Sequence, residues 1–140
     1  MKNETEEPEL EDMLTELEPP YESKEELEIG RMLDQYGIPF FYKQATIIYD
    51  QGQNEVWKPS FTVYPYGGLV IDYVPGLEQK DKDELLRKEK IYRYNQIPAV
   101  LLGPKALTEP NWEELLYGKI EKTYKQAFDP MRYVPESVEK

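Results

Sequence analysis

Neither histidine nor cysteine occurs among the 140 residues, so the chemistry open to this chain is that of carboxylates, lysines, tyrosines and hydroxyls. Histidine is the usual general base near neutral pH and the commonest transition-metal ligand. Its absence excludes Ser-His-Asp triads, His-metal nuclease motifs and metalloprotease helices. The absence of cysteine excludes disulfides, zinc–thiolate sites and a thiol nucleophile. The strongest single candidate is Asp72, which sits within the apolar run 69–74 (LVIDYV) on the same strand face as Val70 and Val74. A carboxylate on a strand covered by helices is costly unless it is paired, hydrogen-bonded or metal-bound. A structural hydrogen-bonding role and a ligand role are both open to it.

The elements that must position such groups follow from the periodicity. Ser23 is a good N-cap, and Glu26 stands where a capping box wants its acid. Ile29, Met32, Leu33 and Tyr36 then form an apolar stripe ended by Gly37, which predicts a first helix. Residues 40–49 (FFYKQATIIY) are aromatic and β-branched and read as a strand. A turn over 50–54 leads to a second strand, 56–64, which Pro59 interrupts, so an edge position or a bulge is expected there. Tyr66-Gly67-Gly68 turns into a third strand, 69–74. Residues 80–95 read as a helix with Leu85, Leu86, Ile91 and Tyr92 as its apolar contribution. Residues 98–102 (PAVLL) read as a strand covered on both faces. Asn111, with Glu114, caps a last helix whose expected buried stripe is Trp112, Leu115, Leu116 and Ile120. The order is αβββαβα.

That order, with the residues at its junctions, resembles the restriction-endonuclease-like, or PD-(D/E)xK, superfamily, and within it the small members related to very-short-patch-repair nucleases. Four segments within roughly residues 23–120 carry the likeness: SKEELEIGRMLDQYGIPFFY, KPSFTVYPYGGLVIDYVPG, LLRKEKIYRYNQIPAVLL and LTEPNWEELL. The resemblance implies an α/β (α+β) fold with a mixed four-stranded sheet flanked by helices. It also implies hairpin carboxylates that hold Mg2+ or Mn2+ on a scissile phosphate, with a lysine two residues after the second acid. Here Ser60 follows Pro59 where the family has aspartate, Asp72 keeps the second acid, and Val74 stands at the lysine position. Two of three core groups are missing, which implies loss of catalysis and no resident cofactor. If activity survives, the resemblance assigns catalysis to Asp72, Glu26 and Lys88, with Asp72 and Glu26 as metal ligands. Lys88, three residues after Leu85 and four before Tyr92, is the basic group that the following helix could supply. Each has a plainer reading: Glu26 as a cap, Lys88 as a solvated helix lysine, Asp72 as a buried hydrogen-bond acceptor.

Composition bounds the rest. The chain is 39% hydrophobic, 13% aromatic and carries a net charge of −11. Residues 1–22 hold nine acids and one base, −8, so residues 23–140 carry the remaining −3. A general polyanion binder would show a basic excess, and strong non-specific DNA binding is not expected. The expected organisation is an acidic flexible leader (1–22), a nuclease-like domain (23–126) and a C-terminal tail (127–140). Leu10, Met13, Leu14 and Leu17 have helical spacing, so the leader could dock on a partner or shield a basic face. No apolar run is long enough to span a bilayer and the N-terminus lacks a signal-peptide pattern, so a cytoplasmic protein is expected. The twelve tyrosines suit half-buried packing on strands, with base stacking as the sharper alternative. Three functions are in contention: a non-catalytic nuclease-fold module that binds a protein or nucleic acid, a metal-dependent endonuclease with relocated residues, and a protein-interaction domain that uses its leader.

Overall fold

The computed structural model describes residues 18–128; the expected leader helix and the residues of the tail from 129 lie outside this range. The first helix, α1 (Lys24–Gln35), opens on Ser23, whose hydroxyl accepts the Glu26 backbone N–H. Gly37 follows with φ +68°, a left-handed conformation that glycine adopts without a steric penalty. The acid of the expected capping box is elsewhere: the Glu26 carboxylate turns into the protein.

Each of the two long expected strands is cut in two. The expected strand 40–49 becomes β1 (Phe41–Tyr42) and β2 (Thr46–Asp50), and the expected strand 56–64 is divided between β3 (Gln53–Trp57), which begins inside the expected turn 50–54, and β4 (Phe61–Val63). β2 and β3 form a separate antiparallel ribbon, from Thr46 opposite Trp57 to Asp50 opposite Gln53. Its turn residues Gln51 and Gly52 both have positive φ, which matches the right-handed twist of a two-residue hairpin. Pro59 therefore marks a change of sheet instead of a bulge within one strand. A Tyr64–Tyr66 3-10 turn and Gly67-Gly68 carry the chain into β5 (Leu69–Tyr73). After α2 (Gln79–Tyr94) and β6 (Ala99–Leu102), the last helix, α3, spans Trp112–Phe128.

The main sheet is mixed, in the order β1-β4-β5-β6. β4 is antiparallel to β1 and β5, whereas β5 and β6 run parallel, Ile71 beside Val100 and Asp72 beside Leu101. A parallel pair needs a crossover, and α2 supplies it. β5 is the strand covered on both faces, every residue of it buried. β6, expected to be so covered, is an edge strand with alternate burial, because only β5 pairs with it.

α1 and α3 share one face: Ile29, Met32, Leu33, Leu116 and Ile120 pack on Phe61, Val63, Leu69, Ile71 and Tyr73. α2 and the ribbon cover the other face, where Ile48 and Tyr92 pack on Val70. Leu115 and Leu86, expected in buried stripes, are exposed instead. Residues 18–22, counted with the leader on charge, are tied to the body. Arg31 Nε and Nη2 both donate to the Glu18 carboxylate, and a Cβ at Gly30 would overlap the Tyr21 hydroxyl. Among the described residues no helix is long and apolar enough to cross a membrane.

Candidate functional site

Glu26, Ser60, Asp72 and Lys88 come together at the Ser60 end of the β4–β5 hairpin. Ser60 immediately precedes β4, and its hydroxyl proton goes to Glu26 Oε2, 2.7 Å away. Ser60 Oγ also lies 3.5 Å from Asp72 Oδ1 and accepts the Tyr73 backbone N–H at 3.1 Å. Glu26 comes from α1 on one face of the sheet, while Asp72 points to α2 on the other. Ser60 thus binds Glu26 on one face of the sheet through its hydroxyl and approaches Asp72 on the other through its backbone N–H, 3.4 Å from Oδ1. Glu26, Ser60 and Asp72 are all buried, with 3%, 0% and 4% of their surface exposed.

Each carboxylate is served by a tyrosine and a lysine. Tyr42 donates its hydroxyl to Glu26 Oε1 at 2.6 Å, and Lys43 Nζ lies 3.3 Å from Oε2. Tyr92 donates to Asp72 Oδ2 at 2.8 Å, and Lys88 Nζ approaches the same oxygen at 3.2 Å. Lys88 and Tyr92 are four apart on α2, hence on one helical face. Tyr42 and Lys43 are adjacent, and neighbours in a regular strand point to opposite sides. Lys43 escapes that rule because its φ is +54°. A non-glycine residue in this region costs roughly 1–2 kcal/mol, which the Glu22 and Glu26 ion pairs help to offset.

The electrostatics follow from this pairing. Burial opposes ionisation of Glu26, but hydrogen bonds from Tyr42 and Ser60 and the Lys43 ammonium outweigh it, and its carboxyl sits below the ordinary value. Burial lowers the Lys43 pKa, yet Glu22 and Glu26 leave it raised overall. Burial, reinforced by the adjoining carboxylate, pushes both Tyr42 and Tyr92 up, so both hydroxyls keep their protons near neutral pH.

Lys43 is shared between Glu22 and Glu26 while Lys88 pairs with Asp72, and three of the four oxygens of Glu26 and Asp72 already take a short bond from this chain. Asp72 Oδ1 is the least served, 3.4 Å from the Ser60 backbone nitrogen and 3.5 Å from its hydroxyl. Among the described residues no three acids gather into a set suited to a metal ion. A hard divalent cation wants several oxygen ligands carrying negative charge, and here it would have to displace both tyrosines and both lysines. As folded, this donor set does not suit the ion that the sequence resemblance implies.

A cleft of about 320 Å3 opens on the Asp72 side, lined by Trp57, Lys58, Asp72, Arg87 and Lys88 with Glu55 and Glu84. Both Lys88 Nζ and the Arg87 guanidinium lie 5.8 Å from the centre of a Trp57 ring. Tyr42, Lys43 and Tyr92 have no counterpart among the residues that the sequence nominated. The i, i+4 spacing of Lys88 and Tyr92 was a signal for one of them. Comparison of the chain with protein-family models, curated proteins and solved structures gives no match.

Proposed function

We propose that this protein is a binding module built on a nuclease-like scaffold, without phosphodiester chemistry and without a resident metal ion. The observation that carries the reading is that Glu26 and Asp72 are each already served by a tyrosine and a lysine of the chain itself. A serine at that position replaces a charge that a cation would need with a neutral hydroxyl that donates to Glu26. The order of helices and strands and the parallel β5–β6 pair are compatible with a restriction-endonuclease-like core. A protein partner fits the surface better than a nucleic acid does. Ile47, Val56 and Tyr94 stand 71%, 64% and 71% exposed on and beside the ribbon, and residues 23–140 carry a net −3.

The test uses Ser60→Asp, which would place a third carboxylate between Glu26 and Asp72. Without metal, this variant is expected to be less stable than the wild type. Millimolar Mn2+ should raise its melting temperature and leave that of the wild type unchanged, since a ligand stabilises only the state that binds it. Wild-type protein that cleaves DNA or RNA with Mn2+, and loses that cleavage in Asp72→Asn, would refute the reading. The second reading, an endonuclease using Glu26, Asp72 and Lys88, is favoured by the convergence of these three groups beside an open cleft. It requires Lys88→Ala to lower cleavage in a domain that remains folded.

A further inference from the structure

A second depression lies on the α1/α3 face, away from the polar cluster. It holds about 410 Å3 between the Pro104–Leu107 3-10 turn and α3, over a floor that includes Leu107, Trp112 and Leu115. Leu115 is 49% exposed, although a large apolar side chain on an amphipathic helix is normally turned inward. Lys105, Lys119 and Lys122 line the same depression, against one acid, Glu109. None of the three has a carboxylate partner among the described residues.

Gly118 gives an independent pointer. It sits within α3 and lines the depression, and nothing stands within 4 Å of where its Cβ would be. Glycine weakens a helix interior relative to alanine, and no neighbour in the described fold requires one here. A bare backbone in a groove suits close approach by something outside the described residues.

We infer that the groove is the docking site of the chain's own acidic leader, residues 1–17. The two are complementary in kind. The leader carries Leu10, Met13, Leu14 and Leu17 at helical spacing, among seven acids and a single lysine. The groove offers an apolar floor, a gap over Gly118 and a rim of three ammonium groups that have no carboxylate partner among the described residues, with Glu109 as its one acid. Attachment is near enough, because Glu18 is held by Arg31 on α1 and α1 touches α3 through Tyr36 and Tyr117, ring centres 5.2 Å apart. A helix over Leu10–Leu17, starting one residue before Glu18, is about 12 Å long, comparable with the roughly 10 Å between packed neighbouring helices. Tethering also gives the leader a high effective concentration at the groove, which no free acidic peptide has. The leader then covers a basic apolar surface in cis and keeps it from acidic amphipathic partners.

The absence of cysteine makes a clean test possible. A nitroxide on Glu9→Cys in isotopically labelled full-length protein reports which amides lie near the leader. Selective loss of the Leu107, Leu115 and Lys119 signals at low salt is expected, with the ribbon signals around Ile47 and Val56 unaffected. Gly118→Gln, which improves helix propensity while filling the gap, should restore those signals, and so should Leu10→Asp with Leu14→Asp. The inference fails if broadening is absent, or if it survives Gly118→Gln in a folded protein. It fails equally if broadening occurs only between nitroxide-bearing unlabelled protein and label-free isotopic protein, which would make a second copy the occupant.

Discussion

At the scale of single residues, Glu26 is the position where two physical demands meet. Its backbone nitrogen serves the Ser23 cap while its carboxylate serves Ser60, Tyr42 and Lys43. Its depressed pKa fixes the sign of a pH effect. A carboxyl held below its unfolded value contributes stability that is present above that value and lost as pH falls through the folded one. Unfolding by urea as a function of pH should therefore show stability falling below about pH 4.5. Glu26→Gln should flatten that fall, after costing about 1–3 kcal/mol at neutral pH for the donors it leaves unserved. An acid limb of equal steepness in both proteins would mean that folding does not lower the Glu26 pKa. Much of the cluster was legible at this scale. Asp72 betrayed itself as a charge in an apolar run, Ser60 by following Pro59, and Lys88 by its helical spacing from Leu85 and Tyr92. Tyr42 and Lys43 were not legible, because adjacent residues reach one carboxylate only through the positive φ of Lys43, and sequence gives no sign of that here.

At the scale of elements, the ribbon shows how pattern reading stops short. Residues 40–49 and 56–64 have the composition of strands, and strands they are. Composition reports that a residue suits a pleated surface; it carries no information about which neighbour the strand chooses. The interruptions at 43–45 and 58–60 transfer the chain from the main sheet to the ribbon and back. Pro59 marked one of these breaks, whereas Lys43-Gln44-Ala45 carries no proline or glycine to mark the other. The ribbon is held to the body largely through Ile48, fully buried against Val70 and Tyr92. Two hydrogen bonds between Asn95 and the Tyr49 backbone add to this. Ile48→Ala is expected to cost about 2–4 kcal/mol, whereas the exposed neighbour Ile47→Thr should stay within about 0.5 kcal/mol. Paired thermal melts would check this, and equal effects would show that the ribbon does not depend on its inward face. The capping box that opens α2, between Glu78 and Asp81, lacks the serine or threonine by which such boxes are usually spotted.

At the scale of the whole molecule, the polar cluster has a consequence for the time course of folding. Its contacts join residues separated by 34, 12, 16 and 20 positions, from α1, the β4–β5 hairpin and α2. Local turns and helices form in microseconds or less, while contacts between distant segments must first close long loops. The cluster also sits where the crossover helix α2 meets β5, so it can be complete only once α1 and α2 both lie against the hairpin. It should therefore be largely unformed at the transition state. Ser60→Ala, which removes the donor to Glu26 and the acceptor for Tyr73, is expected to cost about 1–3 kcal/mol in equilibrium stability. Stopped-flow measurements should place nearly all of that loss in faster unfolding, with the refolding rate close to that of the wild type. A matching slowdown of refolding would instead make the cluster part of the folding nucleus. On this account the serine that fastens Glu26 of α1 to the β4–β5 hairpin acts as a latch: it does little to assemble the domain and sets how long the assembled domain lasts.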